Sequence, residues 1–145
     1  MTSKLAVAAA ALMIAGPSLA ADASGDVAAG EKAFKQCITC HVVVNDAGET
    51  LAGRNAKVGP NLYKVPGRHA GAVEDFKYSK SMEEAGEKGL VWDEAHFVTY
   101  TQDPTAFLRD YLGDPKARGA MTHKVRKEQE SIDVYAYLNS LGSSD

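Results

Sequence analysis

"KQCITCHVVV", residues 35–44, sets Cys37, Cys40 and His41 within five consecutive positions, and these are the only two cysteines in a chain of 145 residues. Whatever the thiols do, they do as a pair. An exported chain with two lone cysteines tends to close them into a disulfide. A redox-active dithiol is a second reading, and it wants a strand before the pair and a helix opening at the first cysteine.

The flanking residues argue against that second arrangement. Asp26 can cap a helix opening with "VAAGEKAFKQC", residues 27–37. Gly30, Phe34, Cys37 and His41 recur at steps of three and four and share one helical face. The spacing therefore predicts a helix that precedes and includes the motif. Cys-x-x-Cys-His is also the attachment pattern of a c-type haem. Two thiols three residues apart can add to the two vinyl groups of one porphyrin, and the histidine behind them can place Nε2 on the iron. Its other ring nitrogen then needs a partner that fixes tautomer and orientation.

Working outward, residues 1–20 have the layout of a signal peptide. Lys4 precedes an apolar run from Leu5 to Ala15, Gly16 and Pro17 break the run, and Ser18–Ala20 are small. The run is too short for a membrane span, which needs roughly 20 residues, although an uncleaved anchor is the plainer alternative. The expected product is one domain, residues 21–145, in the periplasm. Removing Lys4 takes 16 basic and 19 acidic residues to 15 and 19, a net charge of −4 with histidine neutral. That balance, with no long basic run, excludes a nucleic-acid binder.

From Val42 to Gly89 periodicity is poor, and seven glycines and two prolines punctuate the stretch. "VGPNLYKVPGRHAG" reads as wrapped loop, with a short helix near residues 81–88. So long a loop needs something to pack on. "WDEAHFVTYTQ" reads as a helix capped by Asp93, and "DPTAFLRDYLG" as another with Asp103 as cap, Pro104 at its first position and Gly113 as its stop. A last helix over residues 127–141 lines up Val134, Tyr137, Leu138 and Leu141. Four or five helices, no strands and no repeat give an all-α fold.

The second axial position decides between electron carrier and ligand-binding site. Met82, Met121, His69, His96 and His123 are the candidates. An ordinary methionine is core filler, but Met121 follows Gly119 and Ala120, small residues that let backbone approach a flat ring. It is favoured.

With Cys37, Cys40, His41, "GPNLY" at 59–63 and Met121 in order, the chain resembles the class I c-type cytochromes, closest to the bacterial cytochrome c2 and c550 group. The similarity runs from "GDVAAGEKAFKQCITCH" to "DVYAYLNSLG". It implies a cytochrome c fold of helices and long loops around one haem c, attached through Cys37 and Cys40, with His41 and Met121 on the iron. Pro60 would accept the His41 Nδ1 proton. Arg68, Tyr78 and Trp92 would surround the haem propionates, and the Tyr100 hydroxyl would lie near the Met121 sulfur. Gly30 and Phe34 would meet Tyr137 where the first and last helices cross. The chain departs from the group at Lys64, Pro66 and Ala120, and a lysine at residue 64, near the haem edge, would alter docking.

The resemblance further implies a soluble, monomeric electron carrier rather than an enzyme, taking electrons from the cytochrome bc1 complex to a photosynthetic reaction centre or a terminal oxidase. "KARGAMTHKVRK", residues 116–127, has five basic residues and no acidic one, which suits transient docking on acidic surfaces. Two rivals remain: a ligand-binding or peroxidatic haem protein with an open iron site, and a haem-free protein with a Cys37–Cys40 disulfide.

Overall fold

Two helices crossing at a glycine organise the molecule. In the computed structural model, which describes residues 22–144, helix α1 (Val27–Ala33) lies across the carboxy-terminal helix α5 (Glu128–Leu141). A Cβ on Gly30 would sit 1.9 Å from the Asp133 carbonyl oxygen and 2.7 Å from the Tyr137 Cβ. Only glycine allows that approach. Phe34 packs its ring 5.6 Å from that of Tyr137, as expected. Buried Asp133 fastens the crossing by accepting from the Asp26 amide and from Gln129 Nε2, each at 2.9 Å.

The sequence cues for the remaining helices are met in atomic detail. The Asp26 carboxylate caps α1 by accepting from the Ala29 amide. Ser79 caps α2 (Lys80–Glu87) through the Met82 amide, and Asp93 caps α3 (Glu94–Gln102) through that of His96. Asp103 caps α4 (Pro104–Leu112), which has proline at its first position and ends at Gly113 in the left-handed conformation, φ 65°. A mixed core of helix and loop residues lies between, including Leu90, Leu108, Tyr135 and Leu138, each no more than 1% exposed.

Two expectations are corrected. Helix α1 ends at Ala33, the chain tightens into a 3₁₀ turn over Phe34–Gln36, and the cysteine motif lies in the turns that follow. The Cys37 amide donates to the Phe34 carbonyl at 2.8 Å and the His41 amide to the Cys37 carbonyl at 2.9 Å, so each motif residue is held by a local turn rather than by a continuing helix. The strand-free reading also fails. Strands β1 (Val43–Val44) and β2 (Thr50–Ala52) pair antiparallel with an irregular register, and His69 and Val91 form an isolated bridge. The hairpin turns where Asn45 Oδ1 accepts from the amides of Ala47 and Glu49 and Gly48 takes φ 81°.

The expected signal peptide, residues 1–20, lies outside the described residues. Among those described, no helix is long and apolar enough to cross a membrane.

Candidate functional site

A cavity of about 380 Å³ opens between the helices and the long loop, lined by Cys37, Cys40 and His41 on one side and Met121 on another. Pro60, Arg68, Tyr78, Trp92 and Tyr100 also line it. The nine residues expected around the haem therefore face one space. The turn structure explains the motif's placement: the 3₁₀ segment ends at Gln36, and the Cys40 amide donates back to the Cys37 carbonyl at 3.1 Å.

His41 is held by the loop. Its Nδ1 lies 2.9 Å from the Pro60 carbonyl oxygen. A carbonyl can only accept, so Nδ1 carries the proton and Nε2 keeps the lone pair that a metal requires. Burial lowers the pKa of the ring and favours its neutral form, partly opposed by the bond to Pro60. Gly59 makes room: a Cβ there would lie 2.2 Å from His41 Cε1. The Gly59 amide also donates to the Cys40 carbonyl at 2.7 Å, locking loop to motif.

Both cysteines are free. Burial, reinforced by the neighbouring Cys40, pushes the Cys37 thiol up to about 12. Thiol–disulfide exchange needs a thiolate, so the site is poorly suited to dithiol redox chemistry.

Arg68 supplies buried positive charge. Its Nη1 donates to the Tyr63 carbonyl at 2.8 Å and Nη2 to that of Asn61 at 3.1 Å, while buried Nε has no partner within the protein. Burial lowers its pKa and the neighbouring Tyr78 acts the other way. Tyr78 takes the amide of Val73 at 3.2 Å, and its own pKa is raised by burial against the opposing effects of Val73 and Arg68. Burial, with a smaller contribution from Tyr78, raises Tyr100 strongly. The Trp92 and Tyr100 rings pack 4.9 Å apart.

The donor set fits a covalently held haem. It combines two unpaired thiols, an imidazole whose outer nitrogen is already engaged, a thioether in the same cavity, and an unsatisfied buried guanidinium N–H for an anionic edge. The walls are mainly apolar, with Leu62, Val65 and Phe97 among them.

Two of the other candidate ligands also reach the cavity. Met82 is 7% exposed and lines it from α2. Exposed His123 also lines it, its Nε2 2.9 Å from Gln36 Oε1. His69 is exposed and outside the lining, and His96 is held at the Val91 carbonyl, 3.0 Å away. Thr101 and Ser131 form a buried hydroxyl pair in the wall, 2.9 Å apart. Two hydroxyls 30 residues apart give no signal before the fold joins them. Lys64 is not at the cavity as anticipated; its ammonium pairs with Asp46 at 2.8 Å. Of the five basic residues in 116–127, Lys124 is paired with Asp103 at 2.6 Å and Lys127 with Glu130 at 3.4 Å.

Comparison with known proteins agrees with this geometry. Residues 27–142 match the family model for cytochrome c. The chain is 77% identical over 121 residues to cytochrome c2 of Rhodovulum adriaticum, covering 83% of this chain and 96% of that one. It is 58% identical over 137 residues to cytochrome c2 of Cereibacter sphaeroides, covering 94% and 93%. The solved structure of cytochrome c2 from Rhodobacter sphaeroides superposes with a TM-score of 0.82 at 58% identity, over 84% of this chain and all of that one.

Proposed function

The chain belongs to the cytochrome c family, is an electron carrier rather than an enzyme and binds one haem c through Cys37 and Cys40, and we propose that it works in the periplasm with His41 and Met121 as axial ligands. The observation that carries this reading is the Nδ1–Pro60 bond, which commits Nε2 of His41 to a cavity that Met121 also lines. When bound, the haem supplies a one-electron iron couple. The protein holds it, keeps water from it and sets its preference for the reduced state.

Each side chain has a separable part. The Cys37 and Cys40 sulfurs anchor the ring edge. Pro60 fixes the tautomer of His41. Met121 offers a soft sulfur, and His/Met ligation raises the potential. The apolar wall penalises the added charge of the oxidised iron. Arg68, with Tyr78 and Trp92 beside it, would offset carboxylate charge at the ring edge, and Tyr100 would contribute its hydroxyl to the wall of the cavity that Met121 also lines.

The physiological route we propose runs from the cytochrome bc1 complex to a photosynthetic reaction centre or terminal oxidase. Exposed Lys116, Arg118 and Arg126 on the stretch carrying Met121 favour brief docking on acidic surfaces, with association slowing as salt rises. The visible spectrum tests the ligands. The oxidised protein should show the weak far-red band of sulfur–ferric ligation, and the reduced protein should not take up carbon monoxide at neutral pH. Met121→Ala should abolish the band, admit carbon monoxide and lower the potential. An unchanged spectrum would assign the sixth ligand elsewhere, Met82 being the other methionine on the cavity.

A further inference from the structure

Beyond α5 the chain does not trail off. Residues Gly142–Ser144 fold back onto the loop 61–68 that carries Arg68. The Ser144 amide donates to the Pro66 carbonyl and its Oγ to the Lys64 carbonyl, both at 2.7 Å. The approach leaves no room for side chains: a Cβ on Gly67 would lie 2.5 Å from the Ser144 carbonyl oxygen, and one on Gly142 2.6 Å from the Tyr63 ring. Pro66 is fully buried beneath the contact.

The loop so fastened is tightly curled. Lys64 takes φ 59°, a left-handed conformation unfavourable to a side-chain-bearing residue, so something must hold it. The curl also places the carbonyls of Asn61 and Tyr63 that grip the guanidinium of Arg68. On the far side the loop is tied to Trp92, whose carbonyl accepts from the Gly67 amide and whose amide donates to the Arg68 carbonyl, each at 2.9 Å. At its start the loop is tied to Val44 of β1 through Asn61 and to the Val42 carbonyl through the Leu62 amide; the tail is the fastening on the curl itself, at the carbonyls of Lys64 and Pro66.

We propose that Ser144 is a positioning residue for Arg68: by fixing the carbonyls of Lys64 and Pro66 it holds the curl that sets the guanidinium, and so contributes to the electron affinity of the haem. The proposal rests on the reading that Arg68 offsets carboxylate charge at the haem edge. Releasing the tail should let the guanidinium withdraw from that edge and favour the oxidised iron.

The test uses full-length holoprotein and reads midpoint potential alongside melting temperature. Ser144→Pro removes both donors without changing charge, Ser144→Ala removes only the hydroxyl, and Ser144→Thr retains both. Ser144→Pro is expected to shift the redox equilibrium about twofold toward oxidised, about 18 mV at 59 mV per tenfold for one electron. Ser144→Ala should shift it less, and Ser144→Thr should match the parent. In an Arg68→Gln background, itself of lower potential, Ser144→Pro should add nothing, the non-additivity expected of residues acting through one group. Where Arg68→Gln does not accumulate, Arg68→Lys takes its place. A melting change with constant potential in Ser144→Pro, while the Arg68 variant does shift, overturns the strap and leaves the charge reading standing. Equal shifts in both backgrounds also overturn it. An Arg68 variant with unaltered potential removes the charge reading and the strap together.

Discussion

The helical crossing and the loop that walls the cavity are held by different means. At the α1–α5 crossing, backbone meets backbone and a single Cβ would force the helices apart. The loop from residue 59 to 79 is held at points: carbonyls of Asn61 and Tyr63 on Arg68, the Pro60 carbonyl on His41, Asn61 bridging to Val44 through Oδ1 and Nδ2. Close packing suits a part that has only to be stable. Point fastening suits one that must present particular atoms to a ring. The first should therefore fail globally when overfilled, and the second locally.

The largest effect is expected from Gly30→Ala, whose new methyl meets the Asp133 backbone at 1.9 Å. The helices cannot separate without breaking the Asp26–Asp133 hydrogen bond and the Phe34–Tyr137 contact, so a loss of about 3 kcal/mol or more is expected, measured by denaturant unfolding. Gly59→Ala drives a methyl into the His41 ring. Its cost, about 1–3 kcal/mol, should fall on the site, seen as lost axial ligation in the visible spectrum with the far-ultraviolet helical signal retained. If both variants unfold alike, the contrast between crossing and loop is wrong.

Smaller effects sharpen it. Tyr135 is buried, its hydroxyl donates to the Trp92 carbonyl at 3.1 Å, and burial, with Asp93 and Glu94 nearby, pushes it from 10.0 to about 12. An acid whose folded pKa is raised contributes stability that is complete below its unfolded value and is lost as pH rises toward the folded one. Stability should therefore decline between about pH 10 and 12. Tyr135→Phe, weaker at neutral pH for want of the hydrogen bond, should decline less over that window in pH-dependent melting. Asp103 carries the opposite sign. Its bond from Lys124, then the Ala106 amide, holds it below its usual 3.8, so its contribution is present above that value and disappears as pH falls through the lowered one. Asp103→Ala should melt roughly 5 °C lower at neutral pH, and the gap should close in acid.

Sequence signals reported the closely packed region well because its cues are local. Asp93, the Asp103–Pro104 pair and Gly113 each mark a helix end through one hydrogen bond or one dihedral. The α5 stripe is simple periodicity; Val134, Tyr137 and Leu138 are buried as the pattern requires. The motif itself marked the cavity. Its helical setting was misread because the face shared by Gly30, Phe34 and Cys37 survives a change from α to 3₁₀ winding: a three-residue step keeps the same side in both. The hairpin escaped because two residues of β1 are too few to alternate. Leu62 and Val65 in the loop left no trace, since loop residues facing a non-protein surface obey no period. The burial of Asp133 had no local cue, since it follows from the close approach of Gly30 across the helix crossing.

The hydroxyls of Thr101 and Ser131 carry one more consequence. Thr101 Oγ1 stands 2.9 Å from the Phe97 carbonyl and 3.1 Å from that of Val98, with Ser131 Oγ at 2.9 Å. Dipoles leashed to helical carbonyls cannot swing when charge arrives or leaves beside them. That stretch of wall is polar in composition yet tethered, so an electron arriving beside it should find little there to rearrange.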